Sequence, residues 1–239
     1  MHDARRTFIP LTATLALLVA WQLAVMLGLV PNFLLPSPTQ VVVALIEDAS
    51  LLVSHSAATL LEAFLGLLIG CAVGFVVAVL MDRFEAVGLA LDPLVTLSQT
   101  IPTVAIAPLL VLWFGYGLAP KVVLVIISTF FPITVSLVSG FRSADADMID
   151  LMRTMNAGDW QIFWQVKIPA AAEQFFGGLR ISATYAIVGA VIAEWLGGFS
   201  GLGVYMTRVR KSFSYDRMFA VILLISALSL ALMGIVDVL

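Results

Sequence analysis

The stretch Ala57–Met81, AATLLEAFLGLLIGCAVGFVVAVLM, decides the fold. Its only charged residue is Glu62. About 20 consecutive apolar residues are what a helix needs to cross the hydrocarbon core of a bilayer. Gly66, Gly70 and Gly74 recur at four-residue spacing and Ala78 continues the series. Such a stripe of small residues lets a second helix approach closely, which matters in lipid, where no hydrophobic drive pulls helices together.

Working outward from this span, the chain repeats the pattern. A first span is read over Phe8–Val30, behind Arg5 and Arg6. It is too long for a signal-peptide core and no small-x-small cleavage pattern follows, so an uncleaved helix is expected. Further spans are read over Leu89–Phe114, Lys121–Phe141, Phe175–Leu196 and Phe219–Leu239. Composition agrees: of 239 residues, 62% are hydrophobic and 11% charged, and the mean hydropathy is +1.09. A soluble domain carries about a quarter charged residues, so this chain cannot cover a water-facing surface. Soluble enzymes, secreted disulfide scaffolds and nucleic-acid binders are excluded, the last also by a net charge of −3. Cys71 has no partner cysteine, and His2 and His55 are too few for a histidine metal site. The expected fold is an all-α integral membrane protein with six transmembrane helices, forming one domain over residues 1–239.

Between the spans, Ser37, Pro38 and Gln40 form a capping-box signature for a short helix over about Pro38–Asp48. Pro93, Pro102 and Pro108 punctuate the third span. Each frees a backbone carbonyl, and broken backbone at membrane depth is tolerated only inside protein or beside a cavity. This span is therefore expected to line the functional core. Arg5, Arg6, Arg83, Arg142, Arg153 and Lys167 fall on the N-terminal side, against Lys121, Arg208, Arg210, Lys211 and Arg217 opposite. The positive-inside rule then puts the N-terminus, and the polar insertion Arg142–Pro169, in the cytoplasm.

In that insertion Met148, Leu151, Met152 and Met155 share one face of a helix, beside Asp145, Asp147 and Asp150. Asn156-Ala157-Gly158 breaks it. Asp159 is the expected N-cap of a second short helix, with Trp160, Phe163 and Trp164 on one face, and Pro169 marks its end or the start of the next span. Two readings of the aromatic face stand: docking into a partner's groove, or an interfacial aromatic belt.

The insertion resembles the EAA loop of ABC importer permeases. Asp150-Leu151-Met152-Arg153-Thr154-Met155-Asn156, nine residues, then Val166-Lys167-Ile168-Pro169 keep that motif's spacing. Leu35-Pro36-Ser37-Pro38, Ile101-Pro102-Thr103 through Leu109, Trp113-Phe114-Gly115 and Ala193-Glu194-Trp195-Leu196-Gly197 resemble the branch that imports nitrate, taurine, aliphatic sulfonates and thiamine-pyrimidine precursors. Asp150 replaces the motif glutamate, Leu151 and Met152 its alanines, Asn156 its glycine, and Val166 and Ile168 its Ile and Leu. Asn tolerates the left-handed conformation, so the turn survives. Family members commonly continue past the last span, whereas this sequence stops at Leu239.

The resemblance implies a bacterial inner-membrane permease, not an enzyme, working as a homodimer with a cytoplasmic ABC ATPase dimer and an external substrate-binding protein. Asp150, Arg153, Asn156, Trp160, Phe163, Trp164 and Pro169 would form the coupling helices. This chain has no Gly-x-x-x-x-Gly-Lys-Ser/Thr, so no cofactor is expected in it and ATP with Mg belongs to the separate ATPase.

Gln99, Thr100, Pro102 and Tyr185 are the expected pathway residues, with Ser98 and Thr184 beside them. Glu194 either lines a gate at the outer end of its span or reaches interfacial water. Glu62 either pairs with His55 or reaches water, and Arg180 snorkels to the surface. Tyr205–Arg217, with Met206, Val209 and Phe213 at helical spacing, reads as a surface-lying amphipathic helix or a docking surface for the binding protein. Tyr205-Met206-Thr207-Arg208 and Ser212-Phe213 resemble pyrimidine-precursor permeases more than sulfonate ones. The rival reading is an intramembrane lipid-phosphate enzyme holding a divalent metal on Asp145, Asp147 and Asp150.

Overall fold

A computed structural model describes the backbone of residues 2–238 and the side chains of residues 8–9 and 12–238. The side chains of Arg5 and Arg6, and Leu239, lie outside the described residues. Among those described there are helices and no strands. The elements are α1 (His2–Met26), α2 (Pro38–Glu47), α3 (Ala49–Arg83), α4 (Glu85–Thr100), α5 (Thr103–Phe114) and α6 (Leu118–Arg142). Then follow α7 (Ala146–Thr154), α8 (Asp159–Ile162), a π-helical turn (Phe163–Lys167), α9 (Ile168–Leu196), α10 (Leu202–Lys211) and α11 (Tyr215–Val238).

Four helices are long and apolar enough to cross a membrane: α3, α6, α11, and α9 with the turn and α8 that lead into it. The pair α4 and α5, bent by 96° at Ile101-Pro102, makes at most a fifth. Over its continuously described side chains α1 is apolar from Thr12 to Met26. The length criterion therefore gives four or five spans among the described residues, where six were read.

The core is α3, α6 and α9. The small-residue stripe of α3 lies against α6: a Cβ at Gly66 would collide with Val125, and one at Gly70 with Thr129. At Gly178 of α9 a Cβ would lie 2.8 Å from the Pro132 carbonyl of α6. Ser182 Oγ donates to the Thr129 carbonyl at 2.9 Å, a polar tie across the same contact. With the three backbones this close, α6 buries Leu124, Val125, Ile133, Leu137 and Phe141.

With 35 residues, α3 is about 50 Å long, longer than a bilayer core requires. One end pairs with Asp159 of α8 and Lys167 of the π-helical turn, and the other bonds the turn before α10. The capping box before α2 is formed as read, with Ser37 N–H donating to Gln40 Oε1 at 2.8 Å. The segment after Gly201 differs from its reading. The apolar face of α10 packs on the protein rather than on lipid, with Leu202, Tyr205 and Val209 buried with Leu52 and Val221, while Arg208, Arg210 and Lys211 stay exposed. The helix stops at Lys211, and Phe213, in the left-handed region at φ 58°, is 75% exposed rather than on its apolar face.

Candidate functional site: a helical insertion, a central cavity and a buried polar cluster

The insertion is built as two unequal halves. Asp145 caps α7, its Oδ1 accepting the Asp147 N–H at 2.9 Å. No residue of α7 is buried, and Met148, Leu151 and Met155 stand exposed. Asp150 pairs with Arg153 at 3.3 Å. Asn156 takes φ 62°, the left-handed turn its position requires. The cap of α8 is Gly158, not Asp159 as read; the Asp159 carboxylate instead accepts from Arg83 at 2.5 Å, at the end of α3. That guanidinium holds the Asp159 carboxyl below the usual carboxylate range.

Beyond α8 the chain does not break. The π-helical turn runs directly into α9, with Pro169 in the first turn of the span. Lys167 in that turn donates to both Asp82 oxygens, at 2.7 and 2.8 Å. Phe163 is buried against Phe141 at 5.4 Å between ring centroids, while Trp160 and Trp164 pack around it and remain 67% and 48% exposed. Of the three aromatics read as one face, one is an anchor and two are presented outward.

The second feature is a cavity of about 580 Å³ between the α4–α5 break, α6 and α9. Gln99, Pro102 and Tyr185 line it, together with Ser128, Phe131 and Ser136 of α6, which the sequence pattern did not single out. Thr100 does not line it; its hydroxyl donates to the Leu97 carbonyl at 2.8 Å. Neither does Glu194. No ionisable side chain other than the Tyr185 phenol lines the cavity.

Glu194 belongs to a third feature, at the end of the bundle opposite the insertion. It is 1% exposed, and its oxygens accept from Thr59 Oγ1 at 2.7 Å and the Gly203 N–H at 2.6 Å. Glu62 is buried and meets Lys121 rather than His55: Lys121 Nζ donates to it at 2.6 Å, with both side chains buried. His55 Nδ1 accepts the Gly201 N–H at 2.9 Å. Tyr205 donates to Asp48 Oδ2 at 2.6 Å; burial first, then this carboxylate, pushes the phenol above its ordinary range. Lys121 was counted in sequence as a loop charge. A lysine in the first turn of a span, with one glutamate in a neighbouring span, was the signal available. Arg180, read as snorkelling, pairs with Asp237.

The aspartates of the rival enzyme reading are employed otherwise: Asp145 caps α7 and Asp150 meets Arg153. Among the described residues no group of three or more His, Cys, Asp or Glu side chains could hold a metal ion. That reading is withdrawn.

Spans packed through glycines beside a broken helix and a mostly apolar cavity with uncharged polar groups, with a helical arm at one end, fit a solute permease. The comparisons agree. The chain belongs to the binding-protein-dependent transport system inner membrane component family, whose pattern matches residues 66–239. It is 40% identical to a probable ABC transporter permease protein of Haemophilus influenzae, covering 95% of this chain and 93% of that one. It is 38% identical to the formylaminopyrimidine transport permease protein ThiX of Halalkalibacterium halodurans, covering 90% and 86%. Other relatives are named for riboflavin, aliphatic sulfonate and taurine transport. The crystal structure of an amino acid ABC transporter superposes with a TM-score of 0.65 at 18% identity, covering 82% of this chain and 95% of that chain, a likeness of fold. The protein is thus a multi-pass permease subunit of an ABC importer. It is not an enzyme and holds no cofactor; ATP is used by a separate ATPase subunit, and family membership implies a binding protein as a further partner.

Proposed function

We propose that the whole chain, residues 1–239, acts as one transmembrane domain of a homodimeric permease in the bacterial inner membrane. Its N-terminus and insertion face the cytoplasm. It imports a small polar solute by alternating access, and the solute is a thiamine pyrimidine precursor. The observation that carries the choice of solute is the character of the cavity, mostly apolar with a few uncharged polar side chains and no charged one. The solute meets Gln99, Ser136 and Tyr185 between apolar walls, a setting that suits an uncharged ring with donors and acceptors. The partial positive charge at the start of α5, where Thr103 lines the cavity, favours a ring nitrogen or carbonyl. A sulfonate stripped of water would find no full counter-charge there. The similarity to ThiX points the same way.

Gln99, Pro102 and Tyr185 form the path. Thr100 shapes the helix break, and Glu194 serves the outer closure without touching solute. At the cytoplasmic face Trp160 and Trp164 enter the ATPase, Phe163 and Pro169 anchor the arm to α9, and Asp150, Arg153 and Asn156 shape the approach. ATPase movement reaches the spans through the unbroken run from α8 to α9.

Growth of a deletion strain on each candidate solute tests the choice. Loss of growth on a formylaminopyrimidine in place of thiamine is expected. Loss of sulfonate use alone would overturn it.

A further inference from the structure

The segment between α9 and α10, Gly197–Gly201, together with the first residues of α10, Leu202 and Gly203, crosses the outer ends of α3 and α6 in the orientation proposed above. Four contacts hold it down. Gly201 N–H donates to His55 Nδ1 at 2.9 Å, Leu202 N–H to Thr59 Oγ1 at 2.8 Å and Gly203 N–H to Glu194 Oε2 at 2.6 Å. The Ser200 carbonyl accepts from Lys121 Nζ at 3.2 Å. At Gly201, φ is +121° and a Cβ would strike the Glu194 carboxyl, so only glycine brings the strap this close.

The bond to His55 differs in kind from the other three. An imidazole nitrogen that accepts an N–H carries no proton, and a doubly protonated ring has no acceptor left. Histidine is also the side chain whose charge changes near neutral pH. The charged and titratable groups around it are few. From α10 come Arg208 and Tyr205, whose ring lies 5.8 Å from the imidazole between centroids and whose hydroxyl is held by Asp48, itself beside Arg217. From α3 comes Glu62, whose charge is met by Lys121 of α6. From α9 comes Glu194, bonded to Thr59 and to the strap. Arg208 NH2 also donates to the Phe199 carbonyl, so the cation facing His55 rides on the strap.

We propose that His55 is a pH-sensitive latch for the outer strap. Protonation of the ring removes the acceptor for Gly201 N–H and sets one cation against another, Arg208. Both effects release Gly197–Gly201 and the start of α10 from α3. The latch is closed while the ring is neutral and opens as the outer pH falls.

Hydrogen–deuterium exchange of the full chain in lipid nanodiscs tests this, with intrinsic amide rates at each pH divided out. Protection of the segment 197–204 in the natural chain is expected to fall about tenfold between pH of about 7.5 and about 5.5. His55→Asn places an amide oxygen near the Nδ1 position and cannot titrate, so it stays protected at both. Unchanged protection in the natural chain would overturn the proposal whatever the variant does. An equal fall in His55→Asn would also overturn it and move the sensor to the carboxyl of Glu194.

Discussion

The two ends of the bundle handle charge in opposite ways. At the insertion end the ion pairs Arg83–Asp159 and Arg153–Asp150 are exposed, and only Lys167–Asp82 is partly sheltered. At the opposite end Arg217 meets Glu47 and Asp48 near the surface, but Glu62, Lys121 and Glu194 are buried among Thr59, His55 and strap backbone. Exposed pairs contribute little and are easily exchanged for a partner's groups. A buried pair contributes little net stability, yet breaking it by removing one member is costly. One end thus offers ion pairs that a partner's groups can exchange, and the other is tied together by buried contacts.

The contrast is broken most directly at Lys121. Lys121→Met leaves Glu62 buried without its cation and is expected to cost about 3–5 kcal/mol, read as a lowered thermal unfolding temperature in detergent. Adding Glu62→Leu is expected to restore most of that loss; no recovery would mean that the pair also positions the strap. Next in size, Phe163→Ala removes the ring that anchors the arm on Phe141 and is expected to cost about 3 kcal/mol. Trp164→Ala, at an exposed site, should leave unfolding unchanged. Equal losses from the two would erase the division of the aromatic face into anchor and docking surface.

The smallest effect is expected from Arg83→Ala, with no measurable change in unfolding temperature. Its sign is checked by titration. Asp159 is held below its usual range by Arg83, so the contact is complete above the ordinary carboxylate range and is lost only as pH falls through the depressed value. In Arg83→Ala the Asp159 carboxyl should titrate nearer its ordinary value, followed by carboxyl-carbon NMR.

What the sequence made legible is what local pattern controls. Hydropathy located α3, α6, α9 and α11, the glycines of α3 announced the contact with α6, and Pro102 marked the break that borders the cavity. Asn156 kept the turn of the insertion. The rest depends on residues far apart in the chain. Thr59 and Glu194 are 135 positions apart, and His55 and Gly201 are 146 apart. No periodicity links them, so Glu194 read as a gate or a wetted carboxylate rather than as the cap on a strap. Asp159 looked like an N-cap because nothing nearby competes for its carboxylate; Arg83, 76 positions earlier, does. Helical spacing put Phe213 on the face of α10, but the helix ends two residues sooner.

The most direct measurement for an ATP-coupled permease is recovery of an ATPase with this chain from detergent-solubilised membranes. The natural chain is to be compared with Trp160→Ala/Trp164→Ala, a pair of exposed rings whose loss leaves the fold intact. The expected result is an ATPase recovered with the natural chain and lost with the variant. No ATPase with the natural chain would contradict the coupled permease, and equal recovery with both would move the contact to the Met148–Met155 face.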